Sequence, residues 1–281
     1  MNECQRGYVA VEVYERIYKL YELIETKAVA DLPGPFKVGV DLGTADIVLV
    51  VIDQYGNPVA GSMRWASVVK DGLVVDFRGA TVIVEELKAE IEERMGITLH
   101  KGATAIPPGT VGRNAMACSH VIAGAGLEPI CQIDEPVAAA KALNITHGIV
   151  VDIGGGTTGI AVLKDGELIF TADEPTGGTH VSLVLAGAYK IPFEEAELLK
   201  RDPAQQRKIV PVVLPVIEKM ATVVKAMLKG RDEFNSYPVY VVGGTAYLQG
   251  FEEEFGKAFG REVHVPPHPL LVTPLGIAMF G

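Results

Sequence analysis

Two stretches of the chain repeat one plan, and that repetition limits the folds available to it. Residues 39–52 read GVDLGTADIVLVVI and residues 150–163 read VVDIGGGTTGIAVL. In each, a β-branched apolar run reaches an aspartate (Asp41, Asp152), then a glycine-bearing tight turn, then a second apolar run. This is strand, turn, strand. A chain that builds the unit twice is expected to form two similar halves with a cleft between them.

The second turn, Gly154 to Gly159, matches G-x-G-x-x-G, the dinucleotide-binding pattern. That pattern works only where a strand runs into a helix whose N-terminus meets pyrophosphate. Here Ile160-Ala161-Val162-Leu163 continue as strand toward a hairpin turn at Asp165-Gly166, so the dinucleotide reading fails. No G-x-x-x-x-G-K-[ST] occurs either. A glycine-rich β-turn can still hold phosphate, because glycines allow successive N–H groups to point into one concavity. Two such turns across a cleft would grip a polyphosphate from both sides. The aspartate before each suits a hydrated Mg²⁺, which keeps several waters and accepts one or two carboxylates.

The rest of the chain supports a duplicated α/β architecture. Val13, Ile17, Leu20 and Ile24, with Tyr14, Tyr18 and Tyr21 beside them, form an amphipathic helix that Pro33-Gly34-Pro35 breaks. It either packs on the body or receives a partner. Val84, Leu87, Ile91 and Met95 give a second helix, stopped by Gly96. GATAI is a buried strand, a helix runs from about Arg113 to Gly126, PICQI is a short strand, and Asp134 can cap the helix of EPVAAAKAL. In the second half, helices begin near Thr179, Phe193 and Pro215, and YPVYVVGGTAY is a strand entering a third glycine turn.

With 281 residues and a formal charge of −10, the chain repels nucleic acid and anionic bilayers on average. Three cysteines without C-x-x-C spacing (Cys4, Cys118, Cys131) fit a reducing cytoplasm. The opening stretch lacks the apolar region and cleavage site of a secretory leader. Apolar runs such as Ile209–Ile217 fall far below the roughly 18 residues of a membrane span. His264 and His268 are four apart but lie in the non-helical HVPPHP, a poor zinc pair. No G-x-S-x-G supports acyl-enzyme chemistry.

Three motifs in order, Asp41–Thr44, Asp152–Thr157 and Gly243–Thr245, resemble the phosphate-1, phosphate-2 and adenosine motifs of the actin/Hsp70/sugar-kinase ATPase superfamily. GATAIPPG, DEPVAAA and PLGIAMFG resemble its interlobe segments, and the likeness covers about residues 37–281. The resemblance implies a two-lobed actin-like ATPase fold with duplicated ribonuclease H-like halves. Residues 1–35 would be the N-terminal amphipathic helix and linker, 36–145 lobe I, 146–270 lobe II, and 271–281 a C-terminal helix returning to lobe I. It implies ATP/ADP and Mg²⁺ as cofactors. Gly43, Thr44, Gly154, Gly155, Gly156 and Thr157 would contact phosphates, with Gly177 and Gly178 nearby and Gly243, Gly244 and Thr245 against ribose and adenine. Asp41 and Asp152 would hold the metal's water shell. Glu135 would orient or deprotonate water, with Asp152 beside it as a second catalytic acid; it also reads as an ordinary helix-start acid, stabilised by the dipole.

The segments Trp65–Ala103 and Gly178–Gly243 are short for this superfamily, so the outer subdomains look reduced and the phosphate grip is better supported than the adenine pocket. No segment is large enough for a sugar pocket or a peptide-binding lid. Strings such as VVDIGGGTTGIAV and TGGTH resemble a chaperonin-like branch that serves ethanolamine catabolism. The expectation is slow ATP hydrolysis driving chaperone-like action on an ethanolamine-pathway enzyme or microcompartment protein, in the cytoplasm or at a microcompartment. The alternative is a filament-forming or shell-associated scaffold, a homo-oligomer with a vestigial cleft.

Overall fold

The computed structural model describes residues 9–281; Cys4 and its neighbours lie outside that range. Helix α1 (Val11–Thr26) buries Val13, Ile17, Leu20 and Leu23. Leu23 thus takes the fully buried place that the sequence spacing gives to Ile24, which is half-buried. The helix stops at Lys27, in the left-handed region at φ 56°, well before Pro33-Gly34-Pro35. Thr26 Oγ1 donates to Glu22 O at 2.7 Å and satisfies a last-turn carbonyl.

Strands β1 (Lys37–Leu42), β2 (Asp46–Ile52) and β3 (Pro58–Trp65) form an antiparallel meander. A two-residue pair, β4 (Val69–Lys70) and β5 (Leu73–Val74), follows. Helix α2 (Phe77–Met95) is capped by Asp76 and ends at Gly96, whose φ of 66° suits glycine. Then β6 (Lys101–Ile106) pairs parallel with β1, α3 (Gly112–Gly124) crosses back, and β7 (Glu128–Asp134) completes a sheet of order β3-β2-β1-β6-β7. Asp134 occupies the N-cap position of α4 (Glu135–Ala142), but its side chain makes no capping bond, contrary to the sequence reading.

The meander then recurs as β8 (Gly148–Ile153), β9 (Thr158–Lys164) and β10 (Glu167–Glu174). Three helices follow, α5 (Gly178–Tyr189), α6 (Phe193–Arg201) and α7 (Pro203–Met227). Strand β11 (Val239–Val242) pairs parallel with β8, giving β10-β9-β8-β11. Helices α8 (Phe251–Phe259) and α9 (Val272–Ala278) end the chain. The counterpart of β7 is reduced to a single parallel bridge, Tyr240 with His264. Pro266 and Pro267, which lack N–H donors, follow at once and stop a fifth strand.

Helix α7 corrects the sequence reading. It begins at Pro203, where Asp202 accepts from Ala204 N at 2.9 Å, and Pro211 and Pro215 lie inside it. Both prolines are exposed, four residues apart, so the carbonyls they leave unpaired face water, while Ile209, Val213, Ile217 and Met220 stay buried.

The two sheets sandwich α4 and α9. Val48 and Val50 of β2, Val150 of β8 and Val242 of β11 pack with Ala139, Leu275 and Ala278 in this central layer. On the outer faces, Ile47 and Leu49 meet α2 and α3, and Val151 and Ile160 meet α5 and α7. Helices α4 and α9 touch closely; a Cβ on Gly276 would stand 1.9 Å from Ala138 O. That contact fixes the start of α4, and hence Glu135, against the ends of β1 and β8. Cys118 and Cys131 are free thiols, and burial pushes the Cys118 thiol up to about 12.

Candidate functional site

Both aspartates lie near the ends of central strands, Asp41 on β1 and Asp152 on β8. The turns that follow them converge on one cavity of about 620 Å³ between the sheets. Its wall includes Asp41, Gly43, Thr44 and Asp46 from the first half, and Asp152, Gly154, Gly155, Gly156 and Thr157 from the second, with Glu135 between. The turns touch. A Cβ on Gly155 would lie 3.2 Å from Thr44 Cβ, and one on Gly156 2.6 Å from Thr44 Oγ1 and 2.7 Å from Asp71 Cα. Only glycine at 156 permits this approach.

The second turn is tied from behind. Gly178 N donates to Gly154 O at 2.9 Å, and Thr179 donates to Gly155 O through both N and Oγ1 at 2.8 Å. Among the described residues, no backbone or side-chain acceptor engages the N–H of Gly155 or Gly156. With the carbonyls of Gly154 and Gly155 held by α5, the N–H groups of Gly155 and Gly156 are left to other acceptors.

The third motif also supports the second turn. Gly243, at φ 92°, lies against the second turn; a Cβ there would stand 2.4 Å from Ile153 O and 2.6 Å from Asp152 Oδ1. Thr245 Oγ1 donates to Gly154 O at 2.8 Å. Gly177 likewise sits behind the turn, where a Cβ would meet Gly154 O and Gly155 O at 2.7 Å. Gly178, Gly243, Gly244 and Thr245 border the cavity, so these residues both support the turn and form part of the cavity wall.

The wall that carries the two turns is crowded with carboxyls. Burial, with Asp46 and Asp152 nearby, raises Asp41 well above the usual carboxylate range. Burial, then Asp152, Asp41 and Asp173, does the same to Glu135. Asp152 is pushed up to about 6 by burial, against a hydrogen bond from Thr273 Oγ1 at 2.5 Å. Asp46 also rises to about 6 through burial, and Arg201 and Lys200 oppose the shift. Like charges gathered in one dry site disfavour ionisation until a cation enters. Among the described residues, no three carboxylate, histidine or cysteine groups form a metal cage.

Sequence reasoning missed several lining residues. Glu197, Lys200 and Arg201 of α6 border the cavity. Lys200 Nζ donates to Glu197 Oε1 at 2.7 Å and to Gly178 O at 3.2 Å. Arg201 crosses to the first half, its guanidinium 4.3 Å from the centre of the Trp65 ring. In the sequence these residues read as an ordinary ion pair on a surface helix; only the docking of α6 on α5 brings them inward.

Known proteins share this arrangement. The family models for the cell division protein FtsA and for MreB/Mbl match residues 149–275 and 58–186. The ethanolamine utilization protein EutJ of Salmonella typhimurium is 44% identical over 258 residues, covering 92% of this chain and 89% of that protein. The crystal structure of EutJ from Carboxydothermus hydrogenoformans superposes with a TM-score of 0.93 at 65% identity, over 98% of this chain and 100% of that one. An MreB 5 of Spiroplasma citri, bound to AMPPNP, superposes with a TM-score of 0.70 at 18% identity, over 89% and 96% of the two chains. That last likeness is one of fold.

Proposed function

The chain belongs to the EutJ family of ethanolamine utilization proteins, with an actin-like ATPase fold, and from that premise we propose that it binds Mg–ATP and Mg–ADP in the interlobe cavity. One observation carries the reading: two aspartate-led glycine turns face each other across a single cavity, with N–H groups free on the second. Gly43, Thr44, Gly155, Gly156 and Thr157 would receive the β- and γ-phosphates, and Asp41 and Asp152 the water shell of magnesium. Magnesium held there would add positive charge beside the carboxyls of Asp41 and Asp152.

Glu135, at the first residue of α4, is the candidate to accept a proton from water. Burial and its acidic neighbours raise its pKa well above the usual carboxylate range. Positive charge that offset those neighbours would make it a better base, and hydrolysis by such a residue would be slow. Lobe motion in that cycle would act in a chaperone-like way on an ethanolamine-pathway enzyme or a microcompartment protein.

Isothermal titration with Mg–ATP tests the binding step. Wild type should release heat at a single site, and Asp152→Ala should bind at least about tenfold more weakly, a loss of about 1.4 kcal/mol. No heat from wild type, or equal affinities, would sink the proposal.

A further inference from the structure

Helix α1 spans the mouth of the cleft. On one side it packs on β3, where Gly61 makes room; a Cβ there would stand 2.8 Å from Ile24 Cγ1 and 3.0 Å from Leu20 Cδ1. On the other side it reaches the second half. Tyr21 stacks on His268 with ring centroids 3.8 Å apart and 14° between planes, and Tyr18 meets the same ring edge-on at 5.3 Å. His268 is itself fixed: its Nδ1 lies 2.7 Å from Tyr247 Oη, and its backbone is left-handed at φ 44° between two prolines.

Between these two attachments, Tyr21, Ile24 and Glu25 border the cavity. They lie three and four residues apart and so share one face of the helix. Their neighbours in the wall are Met63, Tyr247 and Leu270. Apart from Glu25, this part of the lining is aromatic and aliphatic, unlike the glycines and carboxyls of the two turns. An aromatic and aliphatic wall beside a polyphosphate cradle matches a ligand with a charged tail and a planar, weakly polar head.

We infer that α1 forms a wall of the base subsite, with the purine of the nucleotide lying against Tyr21 and Ile24. The inference rests on the nucleotide reading above. It gives the N-terminal helix a share in ligand recognition beside its packing on the body.

The test separates head from tail. Mg–ATP and Mg–tripolyphosphate are titrated into wild type, Tyr21→Ala and Tyr21→Phe. Tyr21 is 39% exposed and lies off the buried face of α1, so Val13, Ile17, Leu20 and Leu23 hold the helix in both variants, and Tyr21→Ala gives up only the ring contact with His268. Tyr21→Ala should weaken ATP at least about fivefold, as expected for lost base–aromatic contact, and leave tripolyphosphate unchanged; Tyr21→Phe should restore ATP binding. If Tyr21→Ala binds ATP as wild type does, or loses both ligands equally, the base-wall assignment is overturned and the nucleotide site stands. If wild type binds neither ligand, the nucleotide reading itself falls.

Discussion

Asp152 is held between Thr273 Oγ1 and a group of other acids, and its charge is costly there when no cation is bound. Its folded pKa, about 6, lies above its ordinary 3.8. Between those values the folded chain binds the extra proton, so this group's contribution to stability grows as pH falls from 6 toward 4. Above pH 6 the group is ionised in both states and the full penalty applies. Asp152→Asn keeps an acceptor for Thr273 and removes the charge. At pH 7.5 without metal it should stabilise the fold by about 1–3 kcal/mol, a gain of a few degrees in Tm, which disappears near pH 4. Scanning calorimetry at the two pH values checks this; equal melting at pH 7.5 would refute it. Asp41, Asp152 and the turn glycines were legible because their order along the chain is itself a signal. The reason for Gly243 was not. Its missing side chain makes room for Asp152 Oδ1, a contact between residues that lie far apart in sequence.

At the scale of elements, the close contact of α4 and α9 sets the position of the site. Gly276→Ala would drive a methyl group to 1.9 Å from Ala138 O. It should therefore destabilise the protein by about 3 kcal/mol or more, measured by urea denaturation, because neither backbone can yield without moving β1 or β8. Most strands and helices were readable from periodicity. The misses have local causes. Helix α7 begins about three turns before the expected Pro215, because a strong cap at Asp202 and a long buried stripe outweigh two prolines that face water. Helix α1 ends early because Lys27 accepts a left-handed conformation that no sequence rule assigns to lysine. The second sheet stops at four strands because prolines follow His264.

At the scale of the whole molecule, two contacts bridge the halves over the cavity: Arg201 on Trp65, and Tyr21 on His268. Parting them would open a way out for a nucleotide bound in the cavity. Trp65 is the sole tryptophan, so its fluorescence reports on the first contact. Arg201→Ala should quicken release of Mg–ADP by about two- to fivefold, the effect of losing an exposed cation–π contact. Stopped-flow chase with unlabelled ATP checks this, and an unchanged rate would show that the contact does not gate exit. The two-lobed plan was legible in the sequence; these bridges were not, since each joins side chains that look like ordinary surface residues until the halves face each other. The tether of the second glycine turn has a wider consequence. Gly154 and Gly155 hang from the first residues of α5 by three hydrogen bonds. A peptide there cannot rotate toward an arriving anion without loosening the helix behind it. The turn thus works as a short lever, passing the state of the interior to the α5–α6 surface, where another protein could sense it without touching the ligand.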